Sequence, residues 1–168
     1  PMAAALEKEK ALLLRFGGHP MAAGFSLEEK NLSLLKEKLE EDCTLSPEDL
    51  VEKLWIDTVL PFSYCTEEFT ESLTVLEPFG KGNEKPAFAE KEVEIQGLRI
   101  LGEHRNVVKL NLTDRQGKRM EGIYFTDGES FLSEKGEKKK MNIVYYPRIN
   151  SYNVQKQVQL VISAHSFV

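Results

Sequence analysis

The fold is decided by the stretch AFAEKEVEIQGLRILGEHRNVVKLNL, residues 87–112. Apolar and polar side chains alternate along it, as they do in strands with one buried face. Val93 and Ile95 share one phase of this alternation, and the pattern resumes on the other phase after Gly97. A one-residue shift at a glycine predicts a β-bulge. The alternation returns over residues 108–112, so the stretch predicts two consecutive strands.

The residues that follow extend this pattern to five strands. They predict a turn at 114–118, a strand at 120–125, a short helix at 127–135 and two further strands at 142–149 and 158–162. Within the helix, Phe131 and Leu132 are expected to pack inward. Three strands, a short helix and two strands form the layout of an OB fold, a five-stranded barrel that commonly binds single strands, although other small barrels share it.

The first half of the chain has mainly helical patterns. They predict a helix over 6–16, an amphipathic helix from Leu32 to about Glu41, a short helix beginning at Ser46-Pro47, a strand at 55–60 and a helix opening at Thr66. Serine is a favoured N-cap, and proline suits the first helical position. Glu77-Pro78 ends the last helix, because the residue before a proline disfavours the helical region.

A glycine-rich run, RFGGHPMAAGF at 15–25, interrupts these helices. Glycines let a bound group approach main-chain N–H donors, and His19 adds a directed hydrogen bond or a positive charge. Ser26 and Glu29 have the spacing of a capping box, so we expect the run to be a loop that enters a helix start, where anions are favoured. The alternative is a tight turn at which small residues allow close packing.

Composition and charge limit the partners and the location that the chain can have. The 168 residues carry a net charge of −5, with 9 Lys+Arg against 17 Asp+Glu in residues 1–86 and 13 against 10 in residues 87–168. The second half is therefore the better candidate for binding a polyanion. No apolar run is long enough for a membrane span, and we expect no membrane partner. Cys43 and Cys65 lie far apart, which favours free thiols and a cytoplasmic location.

Two motifs carry a resemblance to a known family. GGHPMAAGF at 17–25 resembles a signature of RecJ-type single-strand exonucleases in the DHH phosphoesterase superfamily, and LEPFGKGNEKPAF at 76–88 resembles a second one. The resemblance implies an α+β chain: part of a DHH-associated α/β domain with helical linkers at 1–76, a Gly/Pro segment at 77–86 and a five-stranded OB-fold β-barrel at 87–168. Lys81, Asn83 and Lys85 are interpreted as parts of the linker, with contact to a DNA backbone as the alternative.

The resemblance also implies binding residues. Phosphate contact falls to Gly17, Gly18 and His19, close approach to Ala22, Ala23 and Gly24, and a weaker contact to Arg15. Single-strand binding by a barrel requires a basic groove with exposed aromatics. The candidates are Arg99, His104, Arg105, Lys109, Arg119 and Tyr124, followed by Tyr145, Tyr146, Arg148 and Tyr152. Lys109 lies between apolar neighbours and is expected to point outward. Near the end of the chain, Val154 stands where the family usually has a glycine.

No carboxylates or histidines stand at metal-ligand spacing, so we expect no metal, no cofactor and no catalytic residue in this chain. The resemblance implies a 5′→3′ exonuclease of recombination and repair, whose Mn²⁺ or Mg²⁺ centre lies in a DHH domain absent from these residues. The implied partners are single-stranded DNA, that domain in cis, and DNA-repair proteins. Two alternatives stay open: part of a DHH-family phosphodiesterase for oligonucleotides or cyclic dinucleotides, and a non-catalytic interaction module.

Overall fold

The computed structural model describes residues 2–51, 53–150 and 156–168. The chain forms two compact units, Pro1–Lys53 and Leu54–Val168. The segment 77–86, expected from the sequence to link two domains, lies within the second unit. The boundary between the two units therefore precedes this segment in the chain. Tyr152 and Val154 lie outside the described residues.

The first unit is built around a β-hairpin. Its elements are helix α1 (Met2–Lys8), strands β1 (Leu13–His19) and β2 (Ala22–Leu27), helix α2 (Leu32–Glu41), and 3₁₀ turns at Lys10–Leu12, Glu29–Asn31 and Pro47–Leu50. Leu6 of α1 and Leu35 of α2 are its buried apolar side chains in the described residues. The predicted bounds of α2 are confirmed. Ser46 also caps the last turn, in a capping box with Asp49.

Two predictions in this unit are wrong. The helix expected over 6–16 ends at Lys8, because residues 13–19 pair with β2 as an antiparallel strand. Ser26 lies inside β2, and the side chain of the N-cap residue Glu28 makes no capping hydrogen bond to the 3₁₀ turn that follows. The glycine-rich run is therefore a hairpin that turns at Pro20-Met21, and it does not lead directly into a helix N-terminus.

The second unit begins with short elements that pack on the barrel. They are strand β3 (Thr58–Val59), a 3₁₀ turn at Phe62–Tyr64, helix α3 (Glu67–Ser72) and a 3₁₀ turn at Leu73–Leu76. The strand expected at 55–60 is thus reduced to two residues, which pair in parallel with the first barrel strand. The predicted helix start is confirmed, since the Thr66 hydroxyl accepts a hydrogen bond from the Phe69 N–H at 3.1 Å.

The barrel has five strands, namely β4 (Phe88–Leu101), β5 (Val107–Thr113), β6 (Arg119–Phe125), β7 (Lys140–Asn150) and β8 (Gln157–Phe167). Neighbours in the sheet follow the order β4-β5-β6-β8-β7, and pairing of β4 with β7 closes it. The β6–β8 pairing is parallel, and the other barrel pairings are antiparallel. The predicted bulge is confirmed by a register shift between Ile95 and Gly97.

Helix α4 (Gly128–Lys135) connects β6 to β7, with Asp127 as its N-cap. Phe131 is buried as predicted, whereas Leu132 is exposed, contrary to prediction. The helix thus contributes one large side chain to the core. The other large apolar core residues come from the strands and from the segment before them, and include Phe62, Val93, Val108, Leu110, Leu112, Met141, Ile143, Tyr145, Leu160 and Ile162.

Candidate nucleic-acid interface

The outer surface of strands β4, β5 and β6 carries the main candidate site. Val108, Leu110 and Leu112 of β5 are buried in the barrel, so the residues between them point outward. Lys109 is therefore on the outside, as predicted. Cross-strand register places in one array Arg99, Leu101, Val107, Lys109, Asn111, Glu121, Ile123 and Phe125, which we call the β4–β6 outer face.

Cations on and beside this face differ in their partners. Arg99 and Arg119 are exposed, and neither forms an ion pair with another described residue. Lys109 Nζ instead lies 2.8 Å from Glu121 Oε2. The second oxygen of Glu121 accepts a hydrogen bond from Gln159 Nε2 at 2.6 Å. Two arginines are thus available to a polyanion, and the lysine between them is already neutralised.

A groove of about 540 Å³ is lined in part by Arg119 and Glu121. Its polar lining includes Gln96, Asn111, Thr113, Arg119, Glu121 and Gln157. The hydroxyl of Thr113 is buried and has no hydrogen-bond partner among the described residues. Amide and hydroxyl groups beside a free arginine suit the recognition of base edges and phosphates.

The exposed aromatic of the face is Phe125, with 63% of its surface accessible. It pairs with Val107, which in turn pairs with Leu101, so the ring adjoins an apolar strip. Sequence reasoning selected its neighbour Tyr124 instead. Tyr124 pairs with the buried Val108 and packs edge-on against Phe131, and this burial raises the pKa of its phenol. The alternation of β6, if followed from the apolar Met120, would have indicated Phe125.

The first hairpin loop of the barrel holds two further candidates. His104 and Arg105 lie between β4 and β5, as predicted, and both are exposed. Arg105 is committed to helix α4, since its Nη2 lies 2.6 Å from Glu129 Oε1 and its carbonyl accepts a hydrogen bond from the Gly128 N–H at 2.9 Å. Its backbone has a positive φ of 53°. Arg105 thus links the loop to helix α4, and the exposed His104 stays a candidate for ligand contact.

The remaining barrel candidates are dispersed. Tyr145 is buried, its hydroxyl donates to the Leu60 carbonyl, and burial raises its pKa. Tyr146 is covered by Phe79, and Lys85 Nζ lies 4.9 Å from its ring centroid. Arg148 is exposed on β7.

Segment 77–86 is held together by its own polar contacts. The Asn83 amide donates to the carbonyls of Leu76 and Pro78 at 2.8 and 3.0 Å. Lys81 is exposed, whereas Lys85 lies within 5.5 Å of the Phe79 ring centroid as well as close to Tyr146. Asn83 and Lys85 are therefore used to fold this segment onto β7.

The hairpin of the first unit presents a second candidate surface. Gly17 pairs with Gly24, His19 with Ala22, and Arg15 with Ser26. Strand alternation brings these side chains to one face, which is exposed throughout, and we call it the bare hairpin face. It comprises Arg15, Gly17, His19, Ala22, Gly24 and Ser26. A Cβ added at either glycine would meet nothing within 4 Å, so Arg15 and His19 flank an open strip of backbone.

Gly18 and Ala23 belong to the opposite face of the same hairpin. Gly18 has a φ of +153°, and a Cβ there would lie 2.3 Å from the Ala22 carbonyl oxygen. Gly18 is thus required by close backbone packing. Ser26 was missed as a candidate because it was interpreted as a helix cap.

Metal-binding side chains do not converge in the described residues. No group of three or more His, Cys, Asp or Glu side chains there is placed to hold a metal ion. Cys65 is buried, with its Sγ 3.3 Å from the Tyr145 hydroxyl, and burial raises the pKa of its thiol. The described part of this chain therefore does not fit a divalent metal centre. Among the described residues, the helices are too short or too polar to span a bilayer.

The closed barrel, its strand order and its intervening helix define the second unit as an OB fold. Residues 56–164 match the family model described as the RecJ OB domain. This chain belongs to that family.

The relatives by sequence are all much longer than this chain. The single-stranded-DNA-specific exonuclease RecJ of Bacillus subtilis is 31% identical over 162 residues, which cover 94% of this chain and 20% of the relative. The Escherichia coli protein of the same name is 28% identical over 153 residues, with coverages of 90% and 26%. The chain thus spans about a fifth to a quarter of these two curated relatives.

A solved structure supports the fold. The crystal structure of RecJ from Thermus thermophilus in complex with Mn²⁺ has a TM-score of 0.77 and 24% sequence identity to this chain, covering 98% of this chain and 23% of that one. A second structure of that protein, in complex with Mg²⁺, has a TM-score of 0.75.

Proposed function

We propose that this chain is the strand-binding region of a 5′→3′ single-stranded-DNA-specific exonuclease of recombination and repair. The observation that carries the proposal is the β4–β6 outer face, where the exposed Phe125 stands on the same side of the barrel as Arg99, which has no ion-pair partner among the described residues, while Arg119 begins β6 at the end opposite Phe125. Stacking on an aromatic ring and neutralisation of phosphates are the two interactions by which OB folds hold single strands. Membership of the RecJ OB domain family supports the same substrate.

In this proposal the barrel positions the strand by its backbone and by one stacked base. Arg99 and Arg119 attract phosphates, and Phe125 accepts a base on its open face. Neither interaction reads a sequence, so binding is expected to be tolerant of base identity. That property suits an enzyme that must advance along any strand.

The bare hairpin face is proposed as the second contact, near the scissile phosphate. Arg15 supplies a permanent positive charge, and His19 supplies a ring N–H or, when protonated, a second charge. The open backbone at Gly17 and Gly24 allows a phosphate to lie between them. Binding here would orient the phosphodiester for a metal-dependent DHH domain outside these residues, which would supply the hydrolysis.

The two alternatives gain less support. A phosphodiesterase for short oligonucleotides or cyclic dinucleotides needs the hairpin but not a barrel, and 56–164 match an OB model. A purely protein-binding module would not need exposed arginines without ion-pair partners in the described residues on the same strands as the β4–β6 outer face. Protein partners and the DHH domain in cis stay proposals that follow from the family.

Fluorescence anisotropy with labelled single-stranded DNA tests the proposal. Affinity of the 168-residue chain is expected to rise with strand length up to a site of about 4–16 nucleotides and to fall with salt. Phe125→Ala should weaken binding by about 1–3 kcal/mol, the value of one stacked base. Lys139→Ala, at an exposed lysine off the β4–β6 outer face, is the matched control and should bind as the parent does.

The two surfaces are separated by further variants. Arg99→Ala with Arg119→Ala should reduce the slope of log K against log salt by about 1.4, that is, two phosphates at about 0.7 each. His19→Ala should weaken binding without changing the loss caused by Phe125→Ala. Absence of salt-dependent binding in the parent chain, or equal binding by Phe125→Ala and Lys139→Ala, would contradict the proposed barrel site. Nuclease activity with added Mn²⁺ in this chain alone would contradict the assignment of cleavage to another domain.

A further inference from the structure

An acidic side chain lies on the β4–β6 outer face, at its β6 edge. Glu121 stands opposite Asn111 on one side and Gln159 on the other, and the exposed Arg119 is two residues away along β6. Its carboxylate contacts Lys109 at 2.8 Å and Gln159 at 2.6 Å. A negative charge at this place is unexpected on a surface that is to bind a polyanion, and the proposed function leaves it unexplained.

The two partners of the carboxylate differ in mobility. Gln159 is buried, with 5% of its surface accessible, so its amide holds one oxygen of Glu121 in a fixed position. The Lys109 side chain is 38% exposed and has four rotatable methylene groups, whereas the Glu121 side chain is only 19% exposed. The carboxylate is therefore the fixed member of the pair, and the ammonium group is the member that can move to another anion.

We propose that Glu121 competes with the phosphates of the DNA backbone for Lys109. It occupies Lys109 while the face is empty, and a strand phosphate must displace it to recruit that lysine. This inference rests on the proposed function, because it concerns the affinity and release of the same strand. Competition of this kind lowers the affinity for single-stranded DNA and speeds its dissociation. Both effects suit a surface along which a strand must move repeatedly.

A purely structural role explains the contact less well. Ion pairs between partly exposed side chains contribute little to folding stability. The pair also joins adjacent strands that the backbone ladder already holds together through seven paired positions. Removing the charge of Glu121 is therefore expected to change ligand affinity much more than folding.

Glu121→Gln is the decisive variant. The new side chain keeps an oxygen that can accept the Gln159 hydrogen bond and loses the charge that holds Lys109. One more phosphate contact to a single strand steepens the slope of log K against log salt by about 0.7. Relative to equal affinities of the two proteins at about 1 M salt, this slope corresponds to tighter binding by Glu121→Gln of roughly eightfold at about 50 mM salt and roughly threefold at about 200 mM. The dissociation rate measured by stopped flow should fall by similar factors.

Two comparisons make the result specific. Glu40→Gln removes the same charge from an exposed pair with Lys36 on helix α2, and it controls for the change in net charge. Lys109→Ala should weaken binding by the parent chain, because it leaves the Glu121 carboxylate without its cation on the DNA-binding face. In the Glu121→Gln background it should abolish the gain in affinity and return the salt slope to the parent value.

The outcomes separate this inference from the proposed function. Tighter and more salt-dependent binding by Glu121→Gln, lost again with Lys109→Ala, would support it. If the parent chain binds DNA through Phe125 but Glu121→Gln has the same affinity and slope, the competitor role is wrong and the proposed function stands. If neither the parent nor Glu121→Gln binds DNA at low salt, the proposed function fails, and this inference fails with it. A thermal unfolding midpoint unchanged from that of Glu40→Gln would verify that Glu121→Gln is folded.

Discussion

Replacing Gly18 by alanine tests whether the glycine-rich run is a structural hairpin as well as a binding surface. An added Cβ would lie 2.3 Å from the Ala22 carbonyl oxygen, 2.5 Å from the Ala23 Cα and 2.9 Å from the Ala23 Cβ. The first two contacts are with backbone atoms of the paired strand, so no side-chain rotation relieves them. The φ of +153° adds strain for any residue other than glycine.

The loss of folding free energy in Gly18→Ala can be estimated from the backbone strain and the steric contacts. Backbone strain of this kind costs about 1–3 kcal/mol, and insertion of a methyl group into a filled space costs about 1–3 kcal/mol more. The sum of about 2–6 kcal/mol is a large part of the stability that a unit of this size can have. Gly18→Ala should therefore open the hairpin while the barrel stays folded.

Gly17→Ala is the matched control. A Cβ at Gly17 meets nothing within 4 Å, so this variant should be neutral or slightly stabilising, by about 0.4–1 kcal/mol. Hydrogen exchange measured by mass spectrometry provides the assay. Peptides within 13–27 should exchange about thirtyfold faster or more in Gly18→Ala than in Gly17→Ala, with unchanged peptides from β5. Equal exchange of the two variants would refute the steric argument.

Two further predictions concern polar groups buried in the barrel. Burial raises the pKa of Glu90, so its charged form destabilises the fold above the ordinary glutamate pKa, and this cost disappears as the pH falls below that value. Glu90→Gln should raise the urea midpoint of unfolding at neutral pH and leave it unchanged near pH ~4. The exposed Glu94→Gln is the control. A rise at neutral pH no larger than that of Glu94→Gln would contradict the prediction. Tyr145→Phe removes the donor to the Leu60 carbonyl and should cost about 1–3 kcal/mol in thermal unfolding, whereas the exposed Tyr64→Phe should cost nothing measurable.

Local patterns predicted the barrel well because its signals are local. The phase shift at Gly97, the turn after Leu112 and the Asp127 cap each involve residues that are close in sequence. The same holds for helix α2 in the first unit. A period of two or of 3.6 residues can be identified without knowledge of the partner strand.

Residues whose secondary structure, exposure or contacts depend on a partner distant in sequence were predicted poorly. The apolar run before Gly17 fits a helix or a strand equally well, and its pairing with β2 decides between them. Phe125 was overlooked because a one-residue shift in phase exchanges the two faces of a strand. The Lys109–Glu121 contact joins two strands, so no single strand reveals it.

The sheet order has a consequence for the way in which the second unit is made. Strand β8 follows the other barrel strands in sequence, yet it lies between β6 and β7. Until β8 leaves the ribosome, β6 and β7 each present an open edge, and such edges pair readily with other chains. Closure of the barrel is thus a late, long-range event, of the kind that slows folding and exposes intermediates to aggregation.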